Sequence, residues 1–511
     1  MKNTKNFICI ILCIAIIFSF SACSLGSANG LFTVGVLGNA QSYDPLKAES
    51  DIEKILAANC FEGLLRFDED GSLDLAGATA YTVGKNGTSY TFKLNPGARW
   101  YISTGAKENF RQHSDEKLPG SITAEDYIYG LWCFREAYPQ VFQNIKSMDA
   151  TDNLTLVFTL TESDYDFPNK LASYPVYPRS WTFCEALGES YGTTPDSILT
   201  NGHYYIKSSE ATETIMERSS EYSGNARTMN KQIVLYTTGV DQALKERFDN
   251  GSYSIYTSRE SAVGDAVVSH SNVWGLCFNC KTTLGSSQGL RFALLSSVNY
   301  GIIEQPTFAV GKAETVIPPD FSLGDITYAD FSPDAVRHTS DTQKAQSTLD
   351  SLMQKYKKES YTLRFAVPSE MEKSAKTIIK DWENLFGEKI KIELTTFDKK
   401  DAHTVAEKGE YEIAVLPFSP QNKTPQSLFD TIASAPCYYE SSILNKSKAF
   451  SPIAEDRFSA YHSAEKALVE NSVFVPLFYE GVTLRLAEDL QGIYIADGGE
   501  QIYFYGGHQV K

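Results

Sequence analysis

Residues 60–100, CFEGLLRFDEDGSLDLAGATAYTVGKNGTSYTFKLNPGARW, hold several acids but no histidine and no evenly spaced ligands. Their information is architectural. LRFDEDGSL reads as strand, turn, strand, with Asp70-Gly71 in the turn because glycine accepts positive φ without Cβ strain. YTVGKNGTSYTFKL repeats the pattern around Asn86-Gly87, between segments that alternate Tyr, Val, Phe and Leu with polar residues. Two turns of this kind so close together predict a small antiparallel sheet.

Upstream, LFTVGVLG reads as a buried strand and AQSYDP as a turn opened by Asp44-Pro45. SDIEKILAANCFEGLL places Ile52, Ile55, Leu56 and Cys60 at helical spacing, which predicts a helix ending near Gly63. Downstream, YISTGAKENFRQHSDEKLPGSI is a polar insertion, expected to be a surface loop. ITAEDYIYGLWCFREAYP then offers Thr123 as N-cap, Glu125 and Asp126 in the first turn, and Pro139 as terminator. NIKSMDATDNLTLVFTLT predicts two more strands, and YDFPNKLASYPVYP a helix leading into an extended segment. Strands and helices alternate in two separate regions, 231–258 and 361–418, which predicts two α/β lobes. SAYHSAEKALVENSVFVPLFYEG closes the pattern with a long helix running into a strand.

The chain has 511 residues, 42% apolar and 21% charged, a balance that indicates globular rather than disordered structure. A net charge of -17 argues against a nucleic-acid partner. At the N-terminus Lys2 and Lys5 precede the apolar run Phe7–Phe20, too short for a convincing span and followed by small residues, as in an export signal. FSAC then places Cys23 directly after Ser21 and Ala22, which resembles a bacterial lipoprotein signal cleaved before an acylated Cys23. SLGSANG would be the tether.

Chemical constellations are weak. GSSQG at 285–289 formally matches G-x-S-x-G with Ser287 as nucleophile, but CKTTL before it is a poor core strand for the elbow that such a site requires. The seven histidines are scattered without H-x₃-H spacing, so neither a metal nor a cofactor is indicated. Beyond Cys23, six cysteines remain. Cys60 and Cys133 read as buried thiols; Cys277 and Cys280 should point to opposite faces of a strand, leaving open a tie from one of them to Cys437.

The order of motifs resembles the extracellular solute-binding proteins of family 5, the oligopeptide- and dipeptide-binding lipoproteins of ABC importers. Glu62–Leu64, Asp70–Gly71, Leu75–Ala76, Tyr90–Trp100 and Thr123–Tyr129 match successive family elements. NGHYYIKS, VDQALKERFDNGSYSIYTS, WGLCFNCKTT and GLRFALLSSVN follow at matching distances. Three departures stand out. The usual W.DG after the hairpin is missing, and His203 replaces the proline of the family's GtGPY. The family's ligand loop carries an acid that engages a peptide's α-ammonium; LPFSPQNKTPQSLF here has none before Asp430.

The resemblance implies an α/β fold of the periplasmic-binding-protein-like type II, two lobes around a ligand cleft, with an extra small α/β subdomain in the first lobe. Expected segments are a signal peptide at 1–22, a lipidated tether at 23–30, lobe I from 31–50 and 166–265, the extra subdomain at 51–165, lobe II at 266–475, and a return to lobe I at 476–511. The implied function is no enzyme. It is a monomer anchored by lipid on the extracytoplasmic face of the membrane, which captures oligopeptides or a related small solute and delivers them to an ABC permease. A non-transport surface receptor or structural lipoprotein on the same fold, or a receptor for a metal chelate or sugar, stays open. Expected ligand contacts lie at segment ends facing the cleft: Tyr43, His203, Trp274, Phe418, Tyr438 and Tyr439, with Arg291 as a carboxylate clamp.

Overall fold

The computed structural model describes residues 30–69, 72–136, 142–173, 176–258, 266–324, 326–338, 340–420, 423–435, 449, 451–496 and 501–510. The proposed signal, Cys23, the Asp70-Gly71 turn, Pro139, Cys437, Tyr438 and Tyr439 lie outside them.

Leu31–Leu37 carries Val34 and Val36, both fully buried. It lies between two parallel neighbours, Gln232–Thr238 and Ile255–Ser258, which are linked by the helix Asp241–Asp249. Glu213–Arg218 and Tyr204–Ser209 extend one edge antiparallel. On the other side Ile255–Ser258 meets the far end of Phe474–Leu486, which runs antiparallel along Val267–Phe278. Ile413–Phe418, Tyr361–Pro368 and Ile390–Phe397 complete the path of an eleven-stranded sheet, with Ala309–Lys312 joined at its side.

One sheet serves two cores. The first hydrophobic cluster draws its residues from 32–255 and 484–505, the second from 273–479. These are lobes I and II. Phe474–Leu486 reaches from one core into the other, with Phe474–Tyr479 in the second and Leu484 in the first, and its pairing with Val267–Phe278 shifts register between His270 and Asn272 and again between Trp274 and Gly275. A bulge strengthens local twist and re-aims side chains, and here it does so where the lobes meet.

Of the antiparallel sheet expected from residues 60–100, Leu65–Phe67 and Leu73–Leu75 pair only with each other, while the second hairpin joins two later strands in a four-stranded sheet of lobe I. Its strands run in the order Ala78–Val83, Ser89–Leu94, Thr155–Leu160, Ile145–Asp152. Asn86 and Gly87 close the hairpin, both with positive φ (60° and 65°). The sheet's inner face is aromatic: Phe92 meets Phe158 edge-on at 5.6 Å, and Tyr90 packs on Phe167 at 5.1 Å. Thr123 caps the helix Ala124–Phe134 in a reciprocal box with Asp126.

The polar insertion is not a loop. Thr104–His113 is a helix capped by Ser103, whose Oγ accepts from the Ala106 amide at 2.9 Å. Ala106 and Phe110, one turn apart, are buried, and Phe110 stacks on Phe183. Two inward residues at i and i+4 suffice to dock a short helix whose other faces are polar. Among the described residues no helix is long and apolar enough to cross a membrane.

Candidate functional site

A cavity of about 1100 Å³ opens between the lobes, beside the bulged strands. Lobe I contributes Gln143 and Lys170 to its lining. Most of the wall belongs to lobe II and the crossover strands: Asn272, Trp274, Lys399, Phe418, Asp430 and Glu480 among others.

Strand geometry explains how Asn272, Trp274 and Glu480 come together in the cavity wall. Asn272 pairs with Glu480 across the two crossover strands, and Trp274, two residues on, shares its face. Trp274 Nε1 donates to Glu480 Oε2 at 2.7 Å and Asn272 Nδ2 donates to the same oxygen at 2.9 Å. The Lys399 ammonium pairs with the other oxygen, Oε1. A buried carboxylate is tolerated only when paired and hydrogen-bonded, and these three donors meet that need. Phe418, on the facing strand, packs its ring on Phe474 at 4.4 Å.

Charge also lines the lobe I side. Lys170 pairs with Asp164 at 2.8 Å; burial works against its ammonium, but Asp164, together with the Asp166 and Asp430 carboxylates, holds the pKa above the ordinary value. Across the cavity, burial pushes the Asp430 carboxyl above the usual carboxylate range, against the Gln426 amide that donates to it at 2.8 Å and the charge of Lys170. Among the described residues an ion pair bridges the lobes directly: Arg457 Nη1 of lobe II lies 3.0 Å from Asp166 Oδ1 of lobe I, with both side chains nearly enclosed.

The hinge strand has its own cluster. Asp320 accepts from the His270 amide at 2.9 Å, pairs with His270 Nδ1 at 2.8 Å, and binds the buried Lys423 ammonium at 2.9 Å. Lys423 also bonds Ser269, so the segment entering helix Pro425–Ser434 is tied to the crossover strand. Burial opposes the Asp320 charge, yet Lys423 and His270 hold its pKa well below the usual carboxylate range.

Of the residues singled out in the sequence, Trp274 and Phe418 border the cavity as part of the lobe II core, with only 1% and 5% of their surface exposed. Arg291 does not. Its helix register turns it into lobe II, where Nη1 donates to Gly285 O at 2.9 Å and Nη2 to Asn471 O at 3.1 Å, bracing its own lobe. His203 is buried in lobe I, stacked on Tyr505 at 4.0 Å and bonded through Nδ1 to Thr228 at 2.8 Å. Burial, reinforced by Arg66, drives its pKa well below the ordinary histidine value. Tyr43 is half-buried against the lobe I core, its amide bonded to Gly192 O at 2.8 Å.

Ser287 caps the helix Gln288–Leu295, its Oγ accepting from the Leu290 amide at 3.4 Å. Cys60, Cys133, Cys184, Cys277 and Cys280 are free thiols. Burial pushes the Cys277 thiol up to about 12, so it is no nucleophile at neutral pH. Among the described residues no group of three or more His, Cys, Asp or Glu side chains is placed to hold a metal.

Glu480, Asn272, Lys399 and Lys170 were not singled out from sequence. The one available signal was Glu480 itself, an acid within the apolar run FVPLFYEG.

The family described as bacterial extracellular solute-binding proteins, family 5, matches residues 74–439. The oligopeptide-binding protein AmiA of Streptococcus pneumoniae is 25% identical over 254 residues, covering 46% of this chain and 38% of AmiA. The match thus spans well under half of that relative. Among solved structures, Listeria monocytogenes OppA bound to peptide superposes with a TM-score of 0.67 at 18% identity, covering 95% of this chain and all of the other. HbpA2 from Haemophilus parasuis superposes with a TM-score of 0.72 at 13% identity, covering 94% of this chain and all of that one. These likenesses establish a shared fold.

Proposed function

The chain belongs to the bacterial extracellular solute-binding proteins of family 5, and from that membership we propose that it is the substrate-binding lipoprotein of an ABC importer. It captures oligopeptides or a related small solute between its lobes and hands them to a membrane permease. In this reading Cys23 carries the lipid, and the monomeric protein works at the extracytoplasmic face of the membrane.

The observation that carries the reading is the 1100 Å³ cavity, lined from both lobes and set against the two bulged strands, of which Phe474–Leu486 passes between their cores. A ligand that touches both lobes binds the closed arrangement better than the open one and so draws the lobes together. Trp274 and Phe418 serve as apolar walls, with polar groups around them fixing orientation.

Native mass spectrometry of a soluble form that begins at Ser24, taken gently and again after denaturation, tests this. The expected result is a co-purified set of short peptides, or thermal stabilisation by added peptide mixtures. A protein that is empty and gains no stability with any peptide mixture contradicts the peptide assignment. Metal chelates and sugars are then the solutes to try. The altered ligand loop, without an acid before Asp430, is what favours that second reading.

A further inference from the structure

The two members of the Glu480–Lys399 pair are held very differently. Glu480 sits on the central strand Phe474–Leu486 with its side chain only 7% exposed, and Oε2 is pinned by the Trp274 and Asn272 donors. Lys399 approaches from the short turn Lys399–Asp401 at the cavity's side, with its side chain 32% exposed. Its ammonium also stands 5.0 Å from the centre of the Phe308 ring. A carboxylate with an aromatic face beside it is a receptor for a cationic head. Here the head belongs to the protein.

We infer that Glu480, with the Phe308 ring, is a subsite for a ligand's primary ammonium, and that Lys399 is the internal ammonium that fills it until a ligand displaces it. This rests on the capture reading above. The acid is the fixed member: moving it would strip two hydrogen bonds and disturb a paired strand. The base is the movable one, because rotation about its four-carbon stem carries the ammonium into the water of the cavity, where it regains hydration. The exchange replaces one ammonium by another, so Glu480 is never left charged, buried and unpaired. Lys399 therefore lowers apparent affinity for every amine-bearing solute by the fraction of time it holds the site, and has no such effect on a solute without an amine.

Two synthetic pools of lysine-free pentapeptides, identical except that one is N-acetylated, test the inference on the full chain. Retention of each pool is quantified by mass spectrometry. The free-amine pool should be retained about tenfold better than the acetylated pool, and Lys399→Met should raise retention of the free-amine pool by about a further tenfold while leaving the acetylated pool unchanged. Glu480→Gln should bring the two pools to parity. If Glu480→Gln fails to fold, the sign of the Lys399→Met effect decides alone. Equal retention of both pools by the native chain overturns the ammonium subsite while leaving capture intact. A Lys399→Met chain that keeps the native circular-dichroism spectrum yet loses both pools overturns it too, and makes Lys399 a ligand contact. Retention of neither pool defeats the peptide-capture reading, and this inference falls with it.

Discussion

Two buried carboxylates mark the difference between the inside of lobe I and the cleft. Glu62 in lobe I accepts from Arg66 Nη1 at 3.0 Å and from the Tyr222 hydroxyl at 2.8 Å. Arg66 in turn reaches Asp74 at 2.6 Å and Asn225 at 3.0 Å, and its guanidinium is as deeply enclosed as its partner. Glu480 in the cleft has comparably firm neutral donors but a charged partner on a stem 32% exposed beside open space. The same chemical group is thus a structural fixture where its cation is as enclosed as the acid itself, and an exchangeable site where the cation reaches the open cavity. Burial of the acid alone does not separate these roles. The exposure of the counter-charge does.

Substitutions that break each arrangement should therefore separate stability from capture. Arg66→Met leaves Glu62 buried without its cation and should cost about 3–5 kcal/mol in denaturant unfolding, while each molecule that remains folded retains the native affinity. A matching loss of affinity would mean that the lobe I cluster is part of the site.

Asp320→Asn is the next largest. The Asp320 pKa is depressed in the fold, so its stabilisation is present above the unfolded carboxylate range and disappears as pH falls through the folded value. The native chain should be more stable than the variant by about 2 kcal/mol at pH 7, with the advantage shrinking on acidification below about pH 4. Parallel acid-unfolding curves would contradict the assignment.

Asp166→Asn removes the charge with which Arg457 pairs across the lobes. It should shift the closed population toward open by about tenfold, visible in small-angle scattering, with little change in unfolding temperature. Ser287→Ala is the smallest, about 1 kcal/mol from a lost helix cap and nothing from capture.

The residues that were legible in sequence are those whose role is local. Thr123 with Asp126 and the Asn86-Gly87 hairpin depend on neighbours within a few positions, and the strand at Leu31–Leu37 was legible from its own apolar run although its partners lie some two hundred residues on. The helix Thr104–His113 was missed because Ala106 and Phe110 alone carry its inward face, too few for a visible period. Trp274 was legible as a candidate because it flanks a strand that the family pattern places at the cleft. Its partner Glu480 lies 206 residues away, and a bulge decides which face both side chains take. Arg291 shows the reverse case: about half a turn of rotation around the helix axis separates a cleft residue from an internal brace, and the helical pattern around Arg291 did not settle which way it faces.

The claim that capture closes the lobes is tested most directly by a distance between them. Spin labels at Glu162 of lobe I and Glu455 of lobe II flank the Asp166–Arg457 pair on exposed positions. Pulsed electron resonance with and without the free-amine pentapeptide pool then reads the gap. The account predicts a broad distribution that narrows and shortens when the pool is added. A distribution that no solute alters, in a protein that demonstrably retains the pool, would contradict it.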